Sequence, residues 1–489
     1  MSSQRSLKHK TVLGLGWSAI DSIASQGITF LVGLVLARLL SPSEFGTIGL
    51  AMILVALFNT IVDSGFSSAL IRKQNVLEVD LNTTFIFNFV ISVVLYAVCY
   101  SCAPYISNFF HDSDLIKVTR WISLVLIINA LAIIHRTLLV KAVDFKTQAI
   151  ISVIASILSG IVGIWMAYEG FGVYSLVGQQ LSRQVTNTIL LWINSKWKPK
   201  LEFSYDSFRN LFSFGGKLLL SSIIDTIFNE LSVIFIGRIY TTATLGQYSR
   251  AKQFSSIFSS NVSAVTQRVT YPILSDIQDN RERLVYSYRR MIKMLMLLVG
   301  LGTAVIASTS KSVILILLGP KWAEAIIYLQ LLAFVEITIP LKNFNLNLLQ
   351  VYGRSDYILF LSVIKRFIEI GALLLGLISI YWMLIGFAIA GVIGFLLNAL
   401  FTMKVSNLSV ITQVKDLLPS LIVCSIVGIA MYLISFLISN IYLCLIIQLV
   451  VGFALFTVLS KMFRLNEIEY LKDEVNRFIN KGRKQNGEP

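Results

Sequence analysis

Apolar runs of about twenty residues, separated by short polar stretches, recur along this chain almost from end to end. Each is long enough to cross a bilayer, and fourteen qualify, beginning near residues 12, 46, 82, 118, 149, 172, 214, 243, 291, 323, 356, 382, 416 and 440. The pattern predicts an all-α integral membrane protein with fourteen transmembrane helices. The polar connections leave no room for a soluble domain. The first run, Val12 to Ala37, is too long for the core of a signal peptide and lacks a small-residue cleavage site, so it reads as an uncleaved first helix.

The order of runs and turns repeats. Ala37 to Ala51, ARLLSPSEFGTIGLA, has a relative 200 residues later in Gly237 to Ala251, GRIYTTATLGQYSRA. At that offset Gly16, Ser22, Ile23, Leu31, Arg38, Gly46, Ala51, Phe58 and Val62 all meet identical residues. Six spans per half return the chain to its starting side, which makes the halves parallel repeats about a pseudo-two-fold axis along the membrane normal, a transporter signature. The expected division is an N-lobe over residues 1–193, an amphipathic linker over 194–213, a C-lobe over 214–404, two further helices over 405–464 and an amphipathic tail over 465–489. In the linker Trp197, Leu201, Phe203, Tyr205 and Phe208 alternate with basic residues; in the tail Ile468, Leu471, Val475 and Phe478 form one stripe. Both patterns suit a membrane surface.

Hydrophobic residues make up 56% of the chain and charged ones 14%, with a mean hydropathy of +0.76, which gives the membrane class independently of the runs. A formal charge of +15 would suggest nucleic acid as the partner of a soluble protein; here its placement decides otherwise. The connections on the N-terminal side hold Arg72, Lys73, Lys141, Lys196, Lys198, Lys200, Arg281, Arg283 and Arg354, whereas the opposite side holds only Arg38, Lys117, Arg238, Lys311 and Lys321. By the positive-inside rule both termini are then cytoplasmic, and no nucleic-acid partner is expected. Cys99 and Cys102 form a CxxC without a second Cys pair or His cluster, so helix packing, not a metal, is the expected role of the cysteines. No GxxxxGK[ST] loop points to ATP hydrolysis.

Polar side chains inside the spans carry the candidate chemistry. A charge at a helix centre costs about 2.5 to 3.5 kcal/mol on insertion scales and must face protein or water. Asp21 lies in the first span, and Asn59, Asp63 and Ser67 share one face of the second. Asn129 and Arg136 share a face of the fourth, where Arg136, toward the cytoplasmic end, reads as an interface anchor or as a ligand contact. Span six gathers Gln179, Gln180, Arg183, Gln184 and Asn187 about its middle. Such a helix cannot face lipid; a cavity wall and a buried ion pair would each explain it.

In the second half, span seven holds Asp225, Asn229 and Glu230, and span eight holds Arg250, Lys252, Asn261 and Arg268. Arg250 and Arg268 are five turns apart and share a face, making a basic stripe, and Asp225 and Lys252 lie at similar depths and are expected to pair. Span ten carries Glu336, Lys342, Asn343, Asn347 and Gln350 about Pro340, and span eleven carries Lys365, Arg366 and Glu369, spaced for an intrahelical ion pair with one cation left over. The bases group on spans six, eight and eleven. Arginine suits phosphate because its planar fork donates two parallel hydrogen bonds.

Ala37 to Lys73 resembles the first hairpin of Wzx-type polysaccharide flippases, of the oligosaccharidyl-lipid and multidrug exporter superfamily. Arg38, Leu39, Leu40, Ser41, Pro42, Glu44, Phe45 and Gly46 at the outer turn, and Asp63, Gly65, Phe66, Ala69 and Leu70 at the inner end, carry the resemblance. The length and the 6+6+2 arrangement extend it over essentially the whole chain.

The resemblance implies a flippase that moves undecaprenyl-diphosphate-linked oligosaccharide from the cytoplasmic to the periplasmic leaflet of the bacterial inner membrane by alternating access. Its partners would be that lipid-linked substrate, membrane lipids and the polysaccharide polymerase and export machinery. Arg183, Arg250, Lys252, Arg268, Lys342, Arg366, Gln180 and Asn187 are then expected to bind diphosphate and glycan. Asp21, Asp63, Asp225, Glu230, Glu336 and Glu369 are expected to couple H+ or Na+ or to gate, with no other cofactor and no catalytic residue. A drug/cation antiporter of the same superfamily is the alternative on this fold, but should favour an acidic, aromatic-lined cavity. A membrane ligase, polymerase or glycosyltransferase usually needs a large outer loop or a clustered acidic site.

Overall fold

The computed structural model describes residues 2–63, 65–463 and 465, with side chains described except at 2–16, 18–20, 22, 268 and 269. The amphipathic stripe expected after residue 465, and the side chain of Arg268, lie outside the described residues. Among the described residues there is no strand. The first half forms α1 (Ser2–Leu39), α2 (Pro42–Asp63), α3 (Phe66–Arg72), α4 (Glu78–Phe110), α5 (Leu115–Ile122), α6 (Leu124–Lys141), α7 (Phe145–Tyr168) and α8 (Val173–Asn194). The second forms α9 (Tyr205–Ile239), α10 (Thr242–Asp276), α11 (Arg281–Leu317), α12 (Glu324–Val351), α13 (Ser355–Leu374), α14 (Ile380–Ser406), α15 (Val410–Leu437) and α16 (Ile441–Met462).

Two crossings are each made of two helices. Between α2 and α3, Gly65 takes a φ of 68°, a backbone state that glycine adopts without the steric cost of a Cβ. The α5–α6 break falls at Ser123. With each pair taken as one span, the helices make the fourteen crossings expected from the apolar runs. Ten spans are long and apolar enough for a bilayer on length and composition alone. The remaining helices, α1, α8, α10 and α13, hold Asp21, the Gln179–Asn187 cluster, the Arg250–Lys252 pair and the Lys365–Glu369 group. This is a multi-pass membrane protein.

The helices fall into two compact units that divide between Ser249 and Arg250, within α10. In the first unit α7 packs on α1 and α8, α6 on α4 and α8, and α9 along α2. Lipid is as apolar as leucine, so helices in a membrane associate chiefly by close fit at small residues and by hydrogen bonds. A Cβ on Gly163 of α7 would stand 2.9 Å from the Gln179 Cβ of α8. The start of α9 joins this unit through an aromatic cluster, in which the Phe66 ring lies 5.2 Å from Phe87 and 5.8 Å from Phe208, both edge-on.

The connection from α8 to α9 is an extended strap tied to α4. Asn82 accepts from the Lys200 backbone N–H at 3.0 Å, Thr83 accepts from that of Ser204 at 3.0 Å, and Lys200 pairs with Glu78 at 2.8 Å. That carboxylate raises the Lys200 ammonium above its ordinary pKa. Helix α9 starts at Tyr205, inside the segment expected to be linker.

In the second unit α11 is the central helix, packed on α12, α15 and α16, while α14 packs on α12 and α13. Its core gathers Leu284, Tyr288, Ile292, Phe344 and Leu348, all at most 1% exposed. Helix α12 continues through Pro340 without a break.

Candidate functional site

Polar side chains that are scattered along the sequence collect at two places, one in each unit. In the first unit, α6, α7 and α8 line an open polar cavity of about 320 Å³. Arg136 enters it from α6, Gln148 and Ser152 from α7, and Arg183, Gln184 and Asn187 from α8, with Ile151, Ala155 and Leu191 as its apolar wall. Gln180 is half-buried on α8 and is not part of the wall. Arg136, for which the sequence leaves both an interface anchor and a ligand contact open, lines this space together with Arg183. The reason is rotational: Asn129, one face with Arg136, is pinned inward by donating to Asn59 at 3.0 Å and accepting from Gln184 at 2.9 Å.

Neither guanidinium has a hydrogen-bond or ion-pair partner among the described residues. Two aspartates act on them from a distance, Asp63 on Arg136 and Asp21 on Arg183. Each is held elsewhere. Asp63 accepts from the Ser67 hydroxyl, which also accepts from Thr137 at 3.1 Å. Asp21 accepts from Ser25 at 3.0 Å, and Ser25 shares a hydrogen bond of 2.8 Å with the cavity wall at Ser152. On α9, Asp225 is exposed and Glu230 half-buried.

In the second unit, α10, α12, α13 and α14 bring together Lys252, Glu336, Lys342, Lys365, Arg366 and Glu369. Glu336 is 9% exposed, accepts from Ser259 and feels the charges of Lys252 and Lys342. Arg366 pairs with Glu369 at 3.1 Å, the intrahelical pair expected from the spacing, so it is Lys365 that is left over. Lys365 donates to Asn398 of α14 at 3.3 Å, and Asn398 in turn donates to the Lys342 carbonyl at 3.0 Å. Arg250 donates to Gln253 one turn on. A separate apolar groove of about 890 Å³, lined by Phe334, Ile389, Val392, Leu421 and Ile429 among others, runs between α11, α12, α14 and α15.

Gln148, Ser152, Ser259 and Asn398 take part in these clusters and were not singled out by sequence. Asn398 carried a usable signal, since it is the lone amide in the apolar run of α14 and is fully buried; an amide in that position demands partners.

Residues 35–327 match the protein family described as polysaccharide biosynthesis protein. The chain belongs to that family. It is 25% identical over 419 residues to the lipopolysaccharide biosynthesis protein WzxC of Escherichia coli (strain K12), covering 85% of this chain and 83% of that protein. It is 24% identical to the teichuronic acid biosynthesis protein TuaB of Bacillus subtilis (strain 168), covering 88% and 90%. Among solved structures, the lipid II flippase MurJ in an inward closed conformation superposes with a TM-score of 0.72 at 18% identity, over 92% of this chain and 100% of that one. An inward-facing multidrug resistance MATE transporter gives 0.61 at 15%, over 80% and 99%. The fold of this polysaccharide biosynthesis family member is therefore that of two-lobed transporters.

Proposed function

We propose that this protein is a flippase that moves undecaprenyl-diphosphate-linked oligosaccharide repeat units from the cytoplasmic to the periplasmic leaflet of the inner membrane, for surface polysaccharide assembly. The observation that carries this reading is the pair of unpartnered guanidiniums, Arg136 and Arg183, inside a multi-pass member of a polysaccharide biosynthesis family. An ionised group transferred alone into a medium of low dielectric constant costs on the order of tens of kcal/mol, so a diphosphate needs a protein path. The prenyl tail needs none and stays in hydrocarbon. The relatives fit: their names place them in lipopolysaccharide and teichuronic acid biosynthesis, and the MurJ structure is titled a lipid II flippase.

In this reading Arg183 and Asn187 act on the substrate from the first unit, and Arg250, Lys252, Lys342 and Arg366 act on it from the second. Asp21, Asp63, Asp225, Glu230, Glu336 and Glu369 serve ion coupling or gating, with H+ or Na+ as the coupled ion. The protein performs no covalent chemistry, both termini are cytoplasmic, and the polymerase that consumes the product is a natural partner. The basic side chains inside both units weigh against a drug/cation antiporter.

Deletion of the gene followed by lipid extraction tests the function. Lipid-linked repeat units should accumulate on the cytoplasmic leaflet. Unpolymerised units appearing in the periplasm would contradict flipping and indicate an enzyme of assembly.

A further inference from the structure

We infer that the cavity between α6, α7 and α8 is a phosphoryl-oxyanion site built wholly within the first unit, with Arg136 and Arg183 as its two cationic jaws. The choice of a phosphoryl group builds on the flippase reading; the site itself stands on geometry. Its volume of about 320 Å³ equals the share of roughly ten liquid waters, room for a phosphoryl group and part of its hydration.

Two side chains with five N–H donors each face that space without a partner. Guanidiniums inside a membrane protein are expected to be paired or solvated, and here the nearby acids are occupied by Ser67 and Ser25. Asp21 and Asp63 balance the site's charge from a distance without filling its donors. Gln148 adds an independent sign, because its Oε1 is buried and lacks a hydrogen-bond partner. A buried acceptor of this kind normally finds a partner, and a small rotation of the Gln148 side chain would bring it to the cavity it lines. Asn187 and the Ser152 hydroxyl complete a wall of neutral polar groups. The planar fork of arginine matches two phosphoryl oxygens at once, and two forks match a dianion better than a single carboxylate.

A site kept for a ligand holds unfilled, partly desolvated donors when empty, and removing them relieves the empty protein while impairing binding. A structural arginine behaves in the opposite way.

The test uses the full chain purified in a phosphate-free maltoside detergent, with inorganic pyrophosphate, undecaprenyl diphosphate and glutamate as separate probes, read by thermal unfolding and by calorimetric binding. Arg136→Gln and Arg183→Gln should each weaken pyrophosphate binding by about tenfold or more, as expected for loss of charge-assisted hydrogen bonds, and should raise the melting temperature of the ligand-free protein. Lys311→Gln, at an exposed position of the other unit, should leave pyrophosphate binding unchanged. Arg136→Lys, which keeps the charge and loses the fork, should fall between. If undecaprenyl diphosphate alone binds with the same arginine dependence, the ligand is a lipid headgroup; if pyrophosphate suffices, it is the free phosphoryl group. Arginine-independent binding of both, preference for glutamate, or a ligand-free protein destabilised by the glutamine substitutions would overturn the site. Because binding is read without transport, failure here leaves flipping to be judged on its own assay.

Discussion

Gly46 of α2 and Gly246 of α10 sit in reciprocal contact, each pressed on the start of the other's helix. A Cβ on Gly46 would overlap the carbonyl oxygen of Thr242, and one on Gly246 would overlap the carbonyl oxygen of Pro42 and lie 3.2 Å from the Gly46 nitrogen. The Ser43 and Thr242 hydroxyls share a hydrogen bond of 2.7 Å beside them. Positions 42 and 242, like 46 and 246, are related by the 200-residue repeat, so the duplication supplies both halves of one contact and explains why both copies keep the glycine.

Gly246→Ala should therefore force backbone apart and destabilise the protein by about 1 to 3 kcal/mol, the usual cost of overpacking. A Cβ on Gly27 meets nothing within 4 Å, and Gly27→Ala should be neutral or stabilising, by up to about 1 kcal/mol. Thermal unfolding in detergent compares the two.

Asp416, 7% exposed at the start of α15, accepts from Arg289 at 2.6 and 2.8 Å and pairs with Lys293 at 3.1 Å, both on α11. Asp416→Ala leaves two cations without their partner and should cost about 1.5 to 3 kcal/mol. The loss should appear as a lower melting temperature with the protein still inserted in the membrane.

Arg250→Ala should abolish polymer export while normal amounts of protein remain in the membrane. Export assayed beside immunodetection of the membrane fraction checks this. Normal export would remove Arg250 from the set of substrate contacts.

Glu336 accepts a hydrogen bond from Ser259 and feels the charges of Lys252 and Lys342. Glu336→Gln preserves a hydrogen-bonding acceptor for Ser259 and removes the charge. Transport by this variant should lose its response to an imposed H+ or Na+ gradient and keep a residual rate, which flux in vesicles with and without the gradient will show.

Much of the fold was legible because each span is long and apolar, and the spans that are less apolar, α8, α10 and α13, announced themselves by their polar residues. The Arg366–Glu369 pair was legible too, since both partners lie on one helix at a fixed spacing. The cavity was half legible. Arg183 stood out in the middle of α8, but Arg136 near the end of α6 has the position of an interface anchor, and only the Asn59–Asn129–Gln184 hydrogen bonds across three helices show which way that face turns. Gln148 gave no signal, being a single amide near the start of α7. What ties the strap at Lys200 and Ser204 was not legible, because the partners of its backbone N–H groups, Asn82 and Thr83, lie more than a hundred residues away.

The most direct measurement is reconstitution of the purified chain into vesicles that carry undecaprenyl-diphosphate-linked oligosaccharide, with a membrane-impermeant glycosidase added outside. Inner-leaflet glycan should become accessible with time in vesicles containing the protein, and much more slowly with Arg183→Gln. Accessibility no greater than in protein-free vesicles, with the protein folded and inserted, would contradict flipping.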